Sequence, residues 1–221
     1  PKCPCPLPLG PQSPWLAPLA GYSDLPFRLL CLEHGCRVTC TEMVSIKGLV
    51  YNSPGTRDLL VTVPEEDNLV VQLFGSEDAC MQEAMNQLIE LGYKYFDLNA
   101  GCPVRKVIKT GAGAALLRAP DKLFSLLQIM IDHAGPGNVG IKLRPGWTVE
   151  DNLYLDLAND LQEIGVGWVT LHPRSARQAF SGQADWNKLR LLNEKTSLPV
   201  IGSGDLYTAS DALNCLKQTG I

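Results

Sequence analysis

The feature that most constrains this chain is an alternation. Seven short runs are apolar almost without interruption: 15–20 "WLAPLA", 37–43 "RVTCTEM", 68–74 "NLVVQLF", 93–99 "YKYFDLN", 139–144 "VGIKLR", 167–172 "GWVTLH" and 198–204 "LPVIGSG". Such runs suit parallel strands covered on both faces. Segments with helical spacing lie between them. Met81, Met85, Leu88 and Leu91 share one face of 77–91, and Leu123, Leu126, Leu127 and Met130 share one of 121–132. Leu153, Leu157, Leu161 and Ile164 do so in 150–164, and Ala209, Ala212, Leu213 and Leu216 in 208–217, where Thr208 is the expected N-cap. Pro26 and Pro120 suit first-turn positions.

Repeated strand–helix units predict an α/β fold with a parallel sheet, either doubly wound or closed as a (β/α)8 TIM barrel. Polar residues decide between them. Gln72, Asn99, Lys142, Arg144, His172 and Asp205 all stand at C-terminal ends of the apolar runs. A barrel brings those ends to one site, whereas an open sheet spreads them along an edge. The expectation is therefore a barrel. Seven units are countable, and the seventh helix is followed only by "TGI", so about seven of eight units are expected, in a C-terminally incomplete domain over 15–221. Residues 1–14, "PKCPCPLPLGPQSP", are proline-rich and are expected to form an extended arm.

Composition excludes several classes. A net charge of −4 argues against a chain that is basic all over, although a local basic patch can still meet nucleic acid. No apolar run is long enough to span a membrane, and the start lacks a signal-peptide pattern. The eight cysteines fit neither a short secreted disulfide framework nor a usual zinc spacing. Reduced thiols, no metal and a cytoplasmic location are the expectations.

Cys102 sits between Gly101 and Pro103 in "DLNAGCPVRK" (97–106). It reads either as a packed thiol in a tight turn or as a proton donor or nucleophile at a strand end. Cationic neighbours favour thiolate, while a general acid needs the protonated thiol. Lys142 and Arg144, two apart on one strand, point to the same side, and two inward cations call for an anion or an electron-rich ring edge unless the strand end is exposed. His172 and Arg174 in "LHPR" suggest an anion site, and "GSGD" (202–205) suggests a backbone phosphate site. Arg105, Lys106 and Lys109 form a basic cluster that is either a solvated loop or a contact surface. "GAGAALL" (111–117) is either a phosphate nest or close helix packing.

In order along the chain, "APLAGYSDLPFR" (17–28), "TEMVS" (41–45), "VQLFGS" (71–76), "DLNAGCPVRKV" (97–107), "GAGAALL" (111–117), "IKLRPGW" (141–147), "LHPRSARQAFSGQADW" (171–186) and "PVIGSGD" (199–205) resemble the tRNA-dihydrouridine synthase family, its bacterial type most closely. The resemblance implies a flavin mononucleotide (FMN) barrel that uses NADPH to reduce the C5–C6 bond of tRNA uridines. Flavin N5 would deliver hydride to C6, and Cys102 would deliver a proton to C5. It implies that Pro18, Leu19, Ala20, Gln72 and Lys142 contact the flavin. His172, Ser203, Gly204 and Asp205 would lie near its phosphate. Asn99, Arg144 and Arg174 would lie on the substrate side, with Arg105, Lys106 and Lys109 on RNA phosphates. A monomer is expected.

Three positions depart from the family pattern: Leu19 for methionine, Ser203 for the asparagine of "NGD", and Pro173 for the glycine of "HGR". The "GR" phosphate motif and the helical tRNA-binding domain that follow in the family are not in this sequence. A dihydroorotate dehydrogenase-like barrel and a non-catalytic RNA-binding fragment are the alternative readings.

Overall fold

The computed structural model describes residues 5–221. Its centre is one all-parallel sheet of seven strands: β1 Thr39–Cys40, β2 Val44–Ser45, β3 Leu69–Phe74, β4 Tyr95–Ala100, β5 Val139–Leu143, β6 Trp168–Leu171 and β7 Val200–Gly202. The order is β1-β3-β4-β5-β6-β7, with β2 also on β3. Each adjacent pair from β3 to β7 is joined by a helical crossover, as parallel pairing requires. The helices are α1 Leu25–Glu33, α2 Ile46–Val50, α3 Asp78–Glu90, α4 Arg105–Ile108, α5 Pro120–Ala134, α6 Leu153–Asp156, α7 Ala158–Glu163, α8 Asn187–Lys195 and α9 Ala209–Thr219. This is a partial (β/α)8 barrel.

Two expected strands come out differently. The run 15–20 contributes only an isolated parallel bridge, Trp15 to Val38. Pro14 and Pro18 flank it, and proline has no N–H to give a ladder. The run 37–43 divides into β1 and β2. Cys40 pairs with Val70 and Val44 with Leu73, so residues 41–43 face only Val71 and Gln72. The extra residue makes a bulge. There the Thr41 hydroxyl accepts the Gln72 N–H at 3.1 Å in place of a backbone carbonyl.

Strand alternation divides the sheet into two faces. On β3 to β6, residues including Val71, Leu73, Phe96, Leu98, Ile141, Leu143, Val169 and Leu171 pack outward in the main core against the helices. The buried stripe of α5, Leu123, Leu126, Leu127, Met130 and Ile131, covers them, each large side chain contributing ~1.5–3 kcal/mol of burial. The other parity points inward. Its floor is a second cluster of Val38, Cys40, Val70, Trp168 and Leu7.

Leu7 is a finding the proline-rich composition hid. It lies in the expected arm, yet only 3% of it is exposed. Pro8 accepts a hydrogen bond from the Trp15 indole at 2.9 Å, and Trp15 meets Trp168 edge to face at 5.5 Å. Residues 5–15 thus seal the bottom of the barrel; residues 1–4 of the arm lie outside the described residues.

The helices follow their sequence signals, with one division. Pro26 lies in the first turn of α1 and Pro120 begins α5. Thr208 and Asp211 form a reciprocal capping box on α9. The single helix expected over 150–164 is two, α6 and α7, separated at Leu157.

Candidate active site

β4 ends at Ala100, and Gly101, Cys102 and Pro103 turn the chain over the strand ends. Cys102 is half-buried there. Its backbone is held from two sides. Its N–H donates to the Asn99 side-chain oxygen at 2.9 Å, and its carbonyl accepts the Ala114 N–H at 3.0 Å. Gly113 makes the second contact possible: it has φ +60°, and a Cβ on it would stand 2.7 Å from the Cys102 carbonyl. Gly113 of "GAGAALL", which begins the short 3₁₀ turn Gly113–Arg118, therefore serves close packing against the cysteine loop, while Gly111 approaches Ser76.

Beneath the loop lies a polar layer. Asn99 Nδ2 donates to Gln72 Oε1 at 2.8 Å, and Gln72 Nε2 donates to Asp97 at 2.7 Å. The Trp168 indole donates to the other Asp97 oxygen at 3.2 Å. All four side chains are buried. Asp97 was not among the expected site residues, although it precedes Asn99 by two in an apolar run and so shares its face. Burial pushes its carboxyl up to about 6, with Gln72, Lys142 and Trp168 opposing the shift.

Lys142 is half-buried beside Asp97 and makes no hydrogen bond or ion pair among the described residues. Desolvation lowers its pKa, and the Asp97 charge works against that. Both line a cavity of about 40 Å³ with Ala17, Pro18, Thr170 and Ser203. Leu19 and Ala20 are exposed above it. An unpaired inward cation next to two buried amides can bind an electron-rich, hydrogen-bonding ring edge lying over the strand ends.

Arg144 is used differently from Lys142. Its Nε donates to the Gly101 carbonyl at 2.7 Å. One terminal nitrogen meets the carbonyls of Arg174 at 3.2 Å, Ser175 at 3.1 Å and Ala179 at 2.8 Å. Its guanidinium also lies 5.5 Å from the Phe180 ring centre. Only 2% of the residue is exposed. It sews the cysteine loop to the loop after β6. Burial pushes its pKa down to about 10, still charged at neutral pH.

Arg174 is also committed. It pairs with Asp205 at 2.8 Å and donates to the carbonyls of Ser181 and Gly182 at 3.2 and 2.7 Å. Asp205, at φ +56°, accepts in turn the Ala184 N–H at 2.7 Å. The two residues join the β6 and β7 loops. His172 lies beside Arg174, its Nε2 3.4 Å from the guanidinium. Burial, then Lys142, Arg144 and Arg174, drive its pKa down to about 3, so its imidazole is neutral at physiological pH. The Ser203 N–H is spent on the Leu171 carbonyl at 3.1 Å. Gly204, at φ +100°, packs so near His172 that a Cβ would lie 3.2 Å from its ring nitrogen.

Arg105, Lys106 and Lys109 are exposed on and just after α4, next to the cysteine loop. They make no ion pair among the described residues. A groove of about 490 Å³, lined by Arg174, Phe180, Trp186, Asp205 and Tyr207, opens on the other side of the mouth. Thus β3, β4, β5, β6 and β7 bring Gln72, Asn99, Lys142, His172 and Ser203 to one end of the sheet. The basic cluster lies at its rim.

No helix among the described residues is long and apolar enough to cross a membrane. The described residues include no cluster of three potential metal ligands, and the cysteines among them are free.

The family model described as Dihydrouridine synthase (Dus) matches residues 15–221. A probable tRNA-dihydrouridine synthase of Treponema pallidum is 34% identical over 97% of this chain and 67% of its own length. tRNA-dihydrouridine synthase B of Salmonella typhimurium is 36% identical over 92% of this chain and 63% of its own. The chain therefore spans about two thirds of the length of these relatives. Morphinone reductase shares the fold with a TM-score of 0.62 at 12% identity, over 94% of this chain and 79% of that one. A family match across residues 15–221, with relatives about one third identical over nearly all of the chain, places it: the chain belongs to the dihydrouridine synthase family.

Proposed function

We propose that this chain forms the barrel of an FMN- and NADPH-dependent enzyme that reduces uridines in tRNA to 5,6-dihydrouridine. The observation that carries this reading is the presence of Cys102, on the loop after β4, at the same strand ends as Lys142, an inward cation without a partner among the described residues. The donor set fits a flavin. Lys142 is placed to neutralise the pyrimidine edge of a reduced ring. The Gln72 amide keeps one N–H beyond that given to Asp97, and the second N–H of Asn99 meets only the weakly accepting Met43 thioether at 3.9 Å. Pro18, Leu19 and Ala20 supply an apolar surface for the ring. His172, Ser203, Gly204 and Asp205 would hold its phosphate, although Ser203 and Asp205 are already partly engaged within the protein.

Bound FMN would supply hydride to C6 of the uracil, with NADPH oxidised to NADP⁺ to recharge it. The remaining steps belong to the protein. The target base leaves its stack to reach the ring face, as base-modifying enzymes require. Asn99 holds the cysteine loop at the required height. The Cys102 S–H bond breaks as a C–H bond forms at C5, and the resulting thiolate takes its proton back from solvent. His172, neutral, gives or accepts a hydrogen bond without adding charge beside the base. Arg105, Lys106 and Lys109 meet backbone phosphates near the flipped base. Arg144 and Arg174 contribute by holding the loops, each through its Nε and one terminal nitrogen, which are taken up by carbonyls and, for Arg174, by Asp205.

The test compares the chain with its Cys102→Ala variant on unmodified tRNA. The expected result is that Cys102→Ala retains NADPH-driven bleaching of the flavin absorbance and loses dihydrouridine formation. Full activity of the variant would refute the proton-donor role. A chain that stays colourless after incubation with FMN would refute flavin binding by this barrel.

A further inference from the structure

The buried layer under Cys102 is a directional relay. It starts at the Trp168 indole on β6, passes Asp97 on β4, Gln72 on β3 and Asn99 on β4, and ends at the Cys102 N–H. A carboxamide looks nearly the same either way round, but its two ends are opposite in hydrogen bonding. Here the direction is dictated. The indole can only donate, and an ionised carboxylate only accepts. Gln72 must therefore turn its NH₂ group down to Asp97 and its oxygen up to Asn99. Asn99 must give its NH₂ to Gln72, which leaves its oxygen for the N–H groups of Gly101 and Cys102, at 3.2 and 2.9 Å. Reversing the amides would set oxygen against carboxylate at the bottom and NH₂ against N–H at the top.

We propose that Asp97 is a positioning residue for Cys102: acting through the Gln72 and Asn99 amides, its carboxylate fixes the loop that carries the thiol. The importance of Cys102 rests on the function proposed above, whereas the relay is a property of the protein alone. The indole that anchors it is held by packing, buried among Leu7, Val38, Cys40 and Val70 and met edge to face by Trp15. Gly140, opposite on β5, lies so close that a Cβ there would stand 2.0 Å from Trp168 Nε1 and Cε2. Lys142 on β5 and Cys40 on β1 are the other titratable groups facing Asp97. Lys142 favours the carboxylate that the relay needs.

This logic makes an unusual prediction for an isosteric change. Asp97→Asn has one oxygen for two donors. The packed indole keeps it, so the new NH₂ meets Gln72, both amides reverse, and the Cys102 N–H loses its acceptor. Adding Trp168→Phe removes the competing donor, frees the oxygen for Gln72 and restores the relay. The experiment is amide hydrogen exchange on the FMN-free full chain at pH 7.5. Asp97→Asn is expected to speed exchange at Cys102 about fivefold or more, the scale of one hydrogen bond, with Ile141 in β5 unchanged. The double variant is expected to return Cys102 to the original rate. An unchanged Cys102 rate in Asp97→Asn, or no recovery in the double variant, would overturn the proposal. Should Asp97→Asn fail to fold, the wild-type chain answers directly: a scalar coupling across the hydrogen bond from the Cys102 amide nitrogen to the Asn99 side-chain carbonyl carbon is expected, and its absence would contradict the orientation. Each readout is independent of catalysis, so a failure of the relay and a failure of the proposed reaction are separable.

Discussion

Replacing Arg144 by lysine separates a clamp from a substrate contact. The guanidinium reaches two places at once: Nε to Gly101 at 2.7 Å, and one terminal nitrogen to the carbonyls of residues 174, 175 and 179 at 2.8–3.2 Å. A lysine has one nitrogen and serves one of these places. The group it abandons is the Gly101 carbonyl or the β6-loop cluster. A buried acceptor left unpaired costs ~1–3 kcal/mol, and a hydrogen bond to a charged group contributes ~1.5–3 kcal/mol. Arg144→Lys should therefore lose ~2 kcal/mol, and Arg144→Met, which abandons both places, more. For a domain of this size that is a Tm lower by roughly 4–8 °C for the lysine variant. The assay is urea and thermal unfolding, alongside iodoacetamide labelling of Cys102. The cysteine loop loses its tie to the β6 loop, so labelling should accelerate in step with the loss of stability. A variant that keeps its Tm within a degree, labels normally and binds tRNA more weakly would refute the clamp and return Arg144 to the substrate surface.

Other outcomes follow from the same geometry. Arg28 and Glu66 form a buried pair at 2.8 Å that also holds the carbonyls of Ser23 and Val61 and the hydroxyls of Thr39 and Thr62; Arg28→Ala should cost ~3–5 kcal/mol in urea unfolding, because Glu66 is left charged and buried. Gly140→Ala should destabilise by at least ~1–3 kcal/mol and shift tryptophan fluorescence, since its methyl group occupies the place of the Trp168 ring. The depressed pKa of His172, about 3 when folded, means that the unfolded chain binds its proton first. Its contribution is present above the ordinary histidine range and is lost as pH falls from about 6.5 toward 3, at up to ~1.4 kcal/mol per pH unit. Unfolding at pH 6.5 and 4.5 should therefore show a shallower acid loss for His172→Asn; an unchanged slope would contradict the burial argument. Asp97 works in the opposite sense: its raised pKa, about 6, makes its contribution fall as pH rises from about 4 to 6.

The sequence by itself determined the strand–helix alternation, the sides to which the strand residues point, and the place of Cys102 on a glycine–proline turn. These are local matters. Strand parity needs only a period of two, helix starts need only a proline or a capping box, and both are written within a few residues of where they act. The tertiary structure decided what each inward side chain does. Lys142 and Arg144 are equivalent as a two-residue repeat, but the carbonyls that claim Arg144 come from 101 and 174–179 and claim only one of the two. Arg174 and Asp205, each expected near a ligand, also find each other across two loops. Asp97 is one polar residue within an apolar run until Gln72 and Trp168, from two other strands, both donate to it and link it through Asn99 to Cys102. Leu7 is one residue of a proline-rich segment until the barrel floor closes over it. A partner brought from 25 to 71 residues away leaves no local pattern, because hydrogen-bond geometry is a property of the closed layer rather than of any strand in it.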